Sequence, residues 1–594
     1  MSDAATVVLA VAAVAGAWVG RPFPVAVAAL VTVAGLALRR PAVLCVGVAL
    51  ATSGLAARSW AGLHPPVTGH WSGVATLVTD PAPAWGAQRA IARVGAKRVE
   101  VGARGAEGRI LAQRLAGERV WLSGTVEALP PVVRDRLAFR HVAARMSVQE
   151  VGDSTPGSLP SQWANSIRRT LLAGTSSLSP DRRALFAGFV LGDDRDHTPE
   201  VTDDFRASGL THLLVVSGGN VAFVLGLFAP LLRRLGFRGR LVVGLAVLGL
   251  FGILTRWEPS VLRAEAMAAL ALMASVVGRP ASGLRLLALA VTGLLLIDPL
   301  LVTSLGFGLS VAASAGIAVL AKPVTRAIPG PRPLASALGV SVAAQAGVAP
   351  LLVPAFGSVP VATFPANLLA IPAAGPLVAW GMAAGLPAGM AGGAVAHLVH
   401  LPTGLLVGWV ATVARHAANA PLGRLRVTHL VVLAAAVVAA GLLTRHPRRW
   451  MAVAVAGVGL SAAVPALAPG PLDGHQVSPG ARLWRRGGAT VLVVDGARSP
   501  TALLAGLHEA EVARLDVVVV CGKGRGPAGV VGPLLRRFSP RLLLAPSGSP
   551  VAGATVPEVG AAVDVGALNI RVDAVTPELA VTVGASAAPR APPR

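Results

Sequence analysis

A cluster of polar residues at the start of a long apolar run is the first candidate for a functional site. It lies in the stretch THLLVVSGGNVAFV, which starts at Thr211. Polar atoms inside a bilayer cost several kcal/mol each unless they are satisfied, so such residues pack against protein or line a water-filled path. The candidates for lining such a path are His212, Ser217, Gly218 and Asn220.

Three charged residues lie within later apolar segments, namely Arg263, Glu265 and Asp298. Charges at membrane depth are costly and normally face the interior of a helix bundle. Arg263 and Glu265 are two positions apart and cannot share a helix face, so we do not expect them to pair with each other. Two interpretations of Arg263 stay open: it lines a pore close to a passing phosphate backbone, or it pairs with another helix.

The composition indicates a polytopic α-helical membrane protein. Of 594 residues, 54% are hydrophobic and 13% charged, and the mean hydropathy is +0.67. Residues 1–57 are predicted to form N-terminal transmembrane helices, and residues 209–469 a second and larger transmembrane domain. Repeated prolines and glycines in 361–413 predict broken helices there. The two cysteines, Cys45 and Cys521, lie too far apart in the sequence to suggest a metal cluster or a disulfide framework.

The net charge of +24 has two interpretations. The excess of lysine and arginine in short loops follows from membrane topology, or it attracts a polyanion. Topology is the simpler reading. It puts Arg39 and Arg40 in the cytoplasm and brings the chain outside after residue 57. The predicted location is the bacterial cytoplasmic membrane, with both non-membrane domains on its outer side.

Short runs of alternating character predict a small all-β domain of five or six strands over 58–152. Its basic residues Arg93, Lys97 and Arg98 fit either contact with a DNA phosphate backbone or a solvated face. Residues 159–208 follow as amphipathic helical segments, which we expect at the outer membrane interface.

Residues 470–585 alternate strand-like and helical runs, which predicts an α/β domain, and 586–594 form a disordered tail. The loop GKGRG at 522–526 lacks the full spacing of a nucleotide-binding loop. Its Lys523 and Arg525 are candidates for contact with a DNA backbone, with a plain surface loop as the alternative. The aspartates at 193, 194, 196, 203 and 204 fit either a divalent cation or helix capping.

Several ordered blocks of the chain resemble the ComEC family of competence proteins. VLGDDRDHTPEVTDDFRASGLTHLLVVSG begins at Val190, EPSVLRAEAMAAL at Glu258, LLLIDPLLVTSLGFGLSVAASAGI at Leu294 and FGSVPVATFPANLLAIP at Phe356. The last block adds Asn367 to the channel-lining candidates. The resemblance implies a channel that passes single-stranded DNA across the cytoplasmic membrane during natural transformation. It also implies an OB-like β domain and a C-terminal domain similar to the metallo-β-lactamase fold.

The chain departs from the family at two places. Asn220 stands where members often carry a histidine, and an asparagine cannot change its charge. Cys521, Lys523 and Arg525 stand where the lactamase-like fold carries its HxDxDH metal ligands, and lysine and arginine do not hold a divalent cation. We therefore expect a degenerate C-terminal domain with no catalytic residues, no metal and no cofactor.

The resemblance implies several partners: single-stranded DNA, the lipid bilayer, a DNA receptor outside, a cytoplasmic motor ATPase and, in a possible homodimer, a second copy of the chain. No ATPase site is apparent in the sequence, so the motor must be a separate protein. Two alternatives are a transporter that moves another solute through the same membrane core, and a membrane-anchored extracytoplasmic metallo-hydrolase. The missing metal ligands count against the hydrolase.

Overall fold

The computed structural model describes residues 2–65, 68–84, 86–276, 281–443, 457–465, 467, 469–576 and 578–586. The chain divides into two compact units. The first unit consists of Met1–Asp196, His212–Ala355 and Leu368–Val410. The second consists of His197–Thr211, Phe356–Asn367 and Ala411–Arg594.

The first unit begins with three apolar helices, α1 (Asp3–Val19), α2 (Val25–Ala37) and α3 (Pro41–Ala61). Glycines let them pack closely, as small residues do in membrane proteins. A Cβ atom added to Gly16 would lie 2.1 Å from the carbonyl oxygen of Ala49. Helix α3 continues four residues beyond the predicted end at 57.

A small β domain follows, as predicted. Its elements are β1 (Gly69–Leu77), β2 (Ala82–Ala84), β3 (Ala87–Val94), β4 (Lys97–Ala103), α4 (Gly105–Ala112), β5 (Arg119–Ala128), α5 (Pro131–Leu137) and β6 (Val142–Thr155). The strand order is β1-β5-β6-β4-β3-β2, and a further β1–β3 pairing closes a ring of five strands. β4 and β6 are parallel, and the other pairs are antiparallel.

Helices α6 (Leu159–Gly174) and α7 (Pro180–Leu191) come next. The sequence predicted interfacial helices here, but residues 184–191 of α7 are all buried. A Cβ atom added to Gly381 would lie 2.8 Å from Phe186 and 3.0 Å from Val190, both of α7. A Cβ atom added to Gly385 would lie 2.7 Å from Leu171 of α6. Glycines at every fourth position of a later helix, 381, 385 and 389, therefore let α6 and α7 pack closely against that helix.

The remaining helices are α8 (Pro199–Ala207), α9 (Thr211–Leu214), α10 (Gly218–Arg234), α11 (Phe237–Leu254), α12 (Pro259–Val276), α13 (Gly283–Ile297), α14 (Leu305–Ala327), α15 (Arg332–Phe356), α16 (Thr363–Ala391), α17 (Gly393–Asn419) and α18 (Val427–Leu443). Six helices in the described part of the chain are long and apolar enough to cross a membrane: α3, α11, α14, α15, α16 and α17. The polytopic helical membrane fold is thus confirmed.

Helix α16 corrects the prediction of broken helices in 361–413. It runs for 29 residues without interruption although Pro372, Pro376 and Pro387 lie inside it. Prolines are tolerated in membrane helices because neighbouring groups satisfy the freed backbone atoms. Residues 444–456, within the predicted membrane domain 209–469, fall outside the described residues, as does most of the predicted tail.

In the second unit, β7 (Ser358–Pro360) pairs with β8 (Arg424–Arg426). An α/β domain follows, as predicted, with β9 (Leu472–Ser478), β10 (Ala481–Arg486), β11 (Ala489–Val494), α19 (Pro500–Glu509), β12 (Val517–Val520), α20 (Arg525–Phe538), β13 (Leu542–Leu544), β14 (Ala562–Val565), β15 (Leu568–Ala574) and β16 (Ala580–Ala585). The order of the larger sheet is β13-β12-β11-β10-β9, and β14, β15 and β16 form a second sheet.

The larger sheet has a hydrophobic core on each face. On one face Leu503 and Val531, from α19 and α20, pack against sheet residues that include Val518. On the other face Ile570 of the small sheet packs in a cluster with Val519. Successive strand residues point to opposite faces, so the continuous run VVVV of β12 serves both cores.

A buried ionic network joins the β domain to the helices of the first unit. Arg168 of α6 is only 2% exposed, and its guanidinium donates to Asp80 after β1 at 3.1 Å and to Asp193 after α7 at 2.9 Å. It also donates to the carbonyl oxygens of Leu191 and Leu254. We call this network the Arg168 cluster and define it as Asp80, Asn165, Arg168, Asp193, Arg195 and Arg256.

Arg256 and Arg195 complete the Arg168 cluster. Arg256, just after α11, donates to Asp80 at 2.9 Å and to Asn165 at 2.8 Å. Arg195 donates to both oxygens of Asp193 at 2.6–2.7 Å. Burial by itself would raise the pKa of Asp80, but attraction to Arg168 and Arg256 outweighs it and lowers that pKa below the usual 3.8. Arg195 has the same effect on the buried Asp193.

The glycine contacts of α16 give a first prediction. Replacing Gly389 with alanine puts a Cβ atom 1.9 Å from the carbonyl oxygen of Thr170, so α6 must move away. We expect Gly389→Ala to lower the free energy of unfolding by about 1–3 kcal/mol. Gly249→Ala in α11 is the control because no atom lies within 4 Å of its Cβ position. Thermal unfolding in detergent measures both, and equal midpoints would contradict this packing.

A second prediction concerns Arg168. Replacing it with methionine leaves two buried carboxylates without their main partner, which we expect to cost about 3–5 kcal/mol. The neighbouring Arg169→Met is the matched control, because Arg169 is 61% exposed in its side chain and makes only a surface pair with Glu118. Chemical denaturation should show a large loss for Arg168→Met and a change of about 1 kcal/mol or less for Arg169→Met. Similar losses would refute the role of the cluster.

The Arg168 cluster also predicts an acid-sensitive fold. Because the folded-state pKa values of Asp80 and Asp193 are depressed, their contribution to stability is complete above pH 3.8 and is lost as the pH falls below it. Each carboxylate adds a slope of up to about 1.4 kcal/mol per pH unit in that range. Unfolding midpoints measured from pH 6 downward should therefore fall less steeply in Asp193→Asn than in the wild type.

Candidate functional site

The polar cluster after Thr211 lies at a break between two helices. The sequence predicted one apolar segment from about residue 210, but α9 ends at Leu214 and α10 begins only at Gly218. Ser217 stands at the N-cap position of α10 and donates to the amide oxygen of Asn220 at 3.2 Å. The amide nitrogen of Asn220 donates to the carbonyl oxygen of Phe189 at 2.9 Å. Asn220 thus ties the start of α10 to α7.

Arg263 of α12 lies against this helix start. A Cβ atom on Gly218 would be 2.4 Å from its Nη2 atom, so only glycine fits there without displacing the guanidinium. Nε of Arg263 donates to Ser310 Oγ on α14 at 2.8 Å, and Nη1 lies 3.2 Å from Met267 Sδ. Three helices therefore meet at one guanidinium.

The charge of Arg263 is not balanced by an acid. Its residue is 7% exposed, and no ion pair involves it among the residues that the structure describes. The first N–H groups of α10 add partial positive charge beside it. We call Ser217, Gly218, Arg263 and Ser310 the Arg263 site, and its chemistry suits an anion.

Glu265 is buried elsewhere on α12. It is 6% exposed, and neither carboxyl oxygen has a hydrogen-bond partner in the described part of the chain. Val261 and Ala268, within one helical turn of it, belong to the apolar cluster between α10, α11 and α12. Glu265 therefore faces apolar side chains rather than Arg263.

The other channel-lining candidates are His212, Asn367 and Asp298. His212 is exposed on α9, and Asn367 is buried on α16 and belongs to the second unit. Asp298 lies just after α13, where it accepts a hydrogen bond from the backbone of Leu300 and contacts Nε2 of His141 at 3.0 Å. Asp298 thus connects the β domain to a helix end.

Three of the five candidates for DNA contact line one pocket. Arg93, Lys97 and Arg98, from the β3–β4 hairpin, surround a pocket of about 550 Å³ together with His141 and the end of α3. Lys97 donates to the carbonyl oxygen of Gly62, and Arg98 donates to that of Arg140 at 3.0 Å. We call this the basic pocket.

Cations outnumber acids around the basic pocket. Burial lowers the pKa of Arg98, repulsion from Arg93 lowers it further, and attraction to Asp298 only partly opposes them. The guanidinium of an arginine carries its charge at neutral pH in proteins. The pocket is therefore positively charged and fitted to an anionic group.

The remaining two candidates lie in the α/β domain. Lys523 is exposed in the loop after β12, and Arg525 opens α20, with a side chain outside the described part of the structure. Cys521, which precedes them, is buried. Burial, together with the negative charges of Asp495 and Glu578, raises the pKa of the Cys521 thiol to about 12. Its thiol is therefore protonated at neutral pH and is a weak nucleophile.

The acidic segment in α8 forms ion pairs within the second unit. The side chain of Asp203 contacts Nδ1 of His508 at 3.1 Å, and Asp204 accepts from Arg537. Both interpretations of these two aspartates are therefore wrong, since the N-cap of α8 is Thr198 and their side chains contact His508 and Arg537. In the described residues no group of three His, Cys, Asp or Glu side chains could hold a metal ion.

Sequence reasoning missed the contacts of the Arg168 cluster, although it singled out Asp193 as a cation ligand or helix cap. Asp80 and Asp193 lie in the stretches VTDP and VLGDD, so the resemblance could have drawn attention to them. Arg168 gave no signal, because a lone arginine in an amphipathic stretch is normally solvated. Its burial depends on partners 25 to 88 residues away.

Comparison with known proteins places these contacts in a family. Residues 189–450 match the model of the family described as Competence protein. The chain is also 31% identical over 152 residues to ComE operon protein 3 of Bacillus subtilis (strain 168). That alignment covers 25% of this chain and only 20% of the relative's length. No solved structure matches the chain.

The matched range contains the whole Arg263 site and begins at Phe189, whose carbonyl oxygen binds Asn220. It includes the helices from α8 to α18. Residues 189–450 therefore form a domain of the competence protein family.

Proposed function

We propose that this protein passes single-stranded DNA across the cytoplasmic membrane during natural transformation. The match of residues 189–450 to the competence protein family supports a role in competence DNA uptake. A single DNA strand is a polyanion, and its passage through a bilayer requires positive groups inside the protein. The proposal therefore depends on a cation that is available to a passing phosphate.

The observation that carries the proposal is the unbalanced charge of Arg263. A buried arginine is usually paired with acids, as Arg168 is with two carboxylates. In the described part of the chain, Arg263 donates to a hydroxyl and a thioether, and it lies beside the amino end of α10. In this proposal a phosphate of the strand contacts Arg263 and the first N–H groups of α10 in turn.

The β domain supports the proposal through its topology. The five-strand ring β1-β3-β4-β6-β5, with β4 and β6 parallel and α4 between β4 and β5, has the connectivity of an OB-type barrel. Such barrels often bind oligonucleotides, although a fold alone does not define a ligand. We assign this domain to guiding the strand outside the membrane.

We assign the α/β domain to a degenerate metallo-β-lactamase-like fold that guides the strand without cutting it. The loop after β12 carries Cys521 and Lys523 where the ligands of an active relative would stand. A separate cytoplasmic motor would then pull the strand inward, and a receptor outside would deliver it.

Substitution of Arg263 tests the proposed path. We expect Arg263→Gln to lower uptake of labelled DNA roughly ten- to a hundredfold, because one charge-assisted contact contributes about 1.5–3 kcal/mol. The readout is protection of internalised DNA from external nuclease, at equal protein level in the membrane. Unchanged uptake would refute the role of Arg263.

Two further variants separate charge from packing. Arg263→Lys keeps the charge and should retain more uptake than Arg263→Gln, whereas Ser310→Ala removes only the hydroxyl partner and should have the smaller effect. Equal losses in all three variants would indicate a structural role. Normal transformation in a strain without the gene would overturn the proposed function itself.

A further inference from the structure

A second cavity lies along α3, near the basic pocket. It has a volume of about 250 Å³, and its lining is almost wholly apolar, with Val25, Ala29 and Val33 from α2, Leu55 from α3 and Leu296 from α13. We call it the apolar crevice. Helices α2, α3 and α13 are apolar, so the crevice lies where acyl chains surround the protein.

One face of α3 runs from the apolar crevice to the basic pocket. Ala51 and Leu55 line the crevice, and Ser59 and Gly62 line the pocket. Their spacing of four, four and three residues places all of them on one side of the helix. Leu55 and Gly62 are therefore separated by about 10 Å along the helix axis.

A second element makes the same connection. Leu296, near the end of α13, lines the apolar crevice. Two residues later Asp298 contacts His141, which lines the basic pocket. The two cavities thus lie one after the other along the same helices. The apolar crevice lies beside the helices, and the basic pocket lies at their ends.

We propose that the basic pocket and the apolar crevice together bind one anionic phospholipid, with its phosphate at Arg93, Lys97 and Arg98 and an acyl chain against Leu55 and Leu296. The pocket lies at the end of a helix long enough to cross the bilayer, where lipid headgroups are found. Its volume is that of a small-molecule site.

The same three cations are candidates for contact with a DNA backbone, and both a DNA strand and a phospholipid offer a phosphodiester. The geometry favours the lipid. Sites for single strands combine a positive groove with aromatic platforms for the bases, and the described lining of the basic pocket contains neither Phe nor Trp. A DNA strand has no apolar part that could occupy the apolar crevice, which lies further along the same face of α3. A diacyl lipid can fill both cavities, with its phosphate in the pocket and an acyl chain in the crevice.

The bound lipid would hold the β domain against the membrane helices. The β3–β4 hairpin already contacts the end of α3 through Lys97 and Gly62. A phosphate between Arg93 and Arg98 would also remove the repulsion between those two guanidiniums. This inference is independent of the proposed DNA path, since the Arg263 site contributes nothing to it.

Native mass spectrometry of the full-length protein in detergent tests the proposal. The probes are phosphatidylglycerol and phosphatidylcholine with identical acyl chains. We expect one phosphatidylglycerol to be retained by the wild type in at least tenfold preference to phosphatidylcholine. Arg93→Gln and Arg98→Gln should abolish that preference, and Leu55→Trp, which fills the crevice, should lower retention of the lipid.

The control is Arg104→Gln, which removes one exposed charge from the same domain outside the pocket. It should retain the lipid as the wild type does. If Arg98→Gln unfolds the domain, Arg93→Gln decides alone, because Arg93 is an exposed side chain of the hairpin. Thermal unfolding of each variant identifies that case.

Three results would overturn the proposal. They are equal retention of phosphatidylglycerol by the Arg93→Gln and wild-type proteins, displacement of the lipid by soluble glycerophosphate at equal phosphate concentration, and binding of oligothymidylate at these residues with no retained lipid. The last result would restore the predicted DNA contact. Uptake of DNA by Arg263 variants is a separate measurement, so failure of one proposal leaves the other standing.

Discussion

The structure depends on one buried cation, Arg168, whose charge is balanced by two carboxylates. Arg168 is almost inaccessible, and isolated charge in such a place would be strongly unfavourable. Two carboxylates and two backbone carbonyls surround it, and they come from the β domain and from the ends of α7 and α11. The β domain can therefore take its place only when all of these elements are in position.

Close packing of helices makes that arrangement possible. Glycine at 381, 385 and 389 of α16 admits α6 and α7, and Gly174 of α6 meets the backbone of Gly389 in return. Eight consecutive residues of α7 are buried, and Gly381 of the neighbouring helix α16 lets Phe186 and Val190 approach its backbone closely. Small residues thus replace the hydrophobic effect, which contributes little between helices in lipid.

The contrast between Arg168 and Arg263 separates structure from function. Both guanidiniums are buried, but only Arg168 has acidic partners in the described part of the chain. Retaining an unbalanced cation beside a helix amino end has no evident benefit for stability. It has a clear use in a protein whose proposed substrate carries one negative charge per nucleotide.

The sequence alone determined the membrane class, the β domain, the α/β domain and the competence domain within 189–450, since hydropathy, alternation and ordered motifs are local properties. It also singled out Arg263 and Gly218, although not their contact. Only the tertiary structure decided that α16 continues through three prolines, that α7 is buried and that Asp203 and Asp204 pair with His508 and Arg537. Those outcomes depend on which distant groups satisfy a backbone atom or a charge. No spacing within a segment encodes partners that are hundreds of residues away.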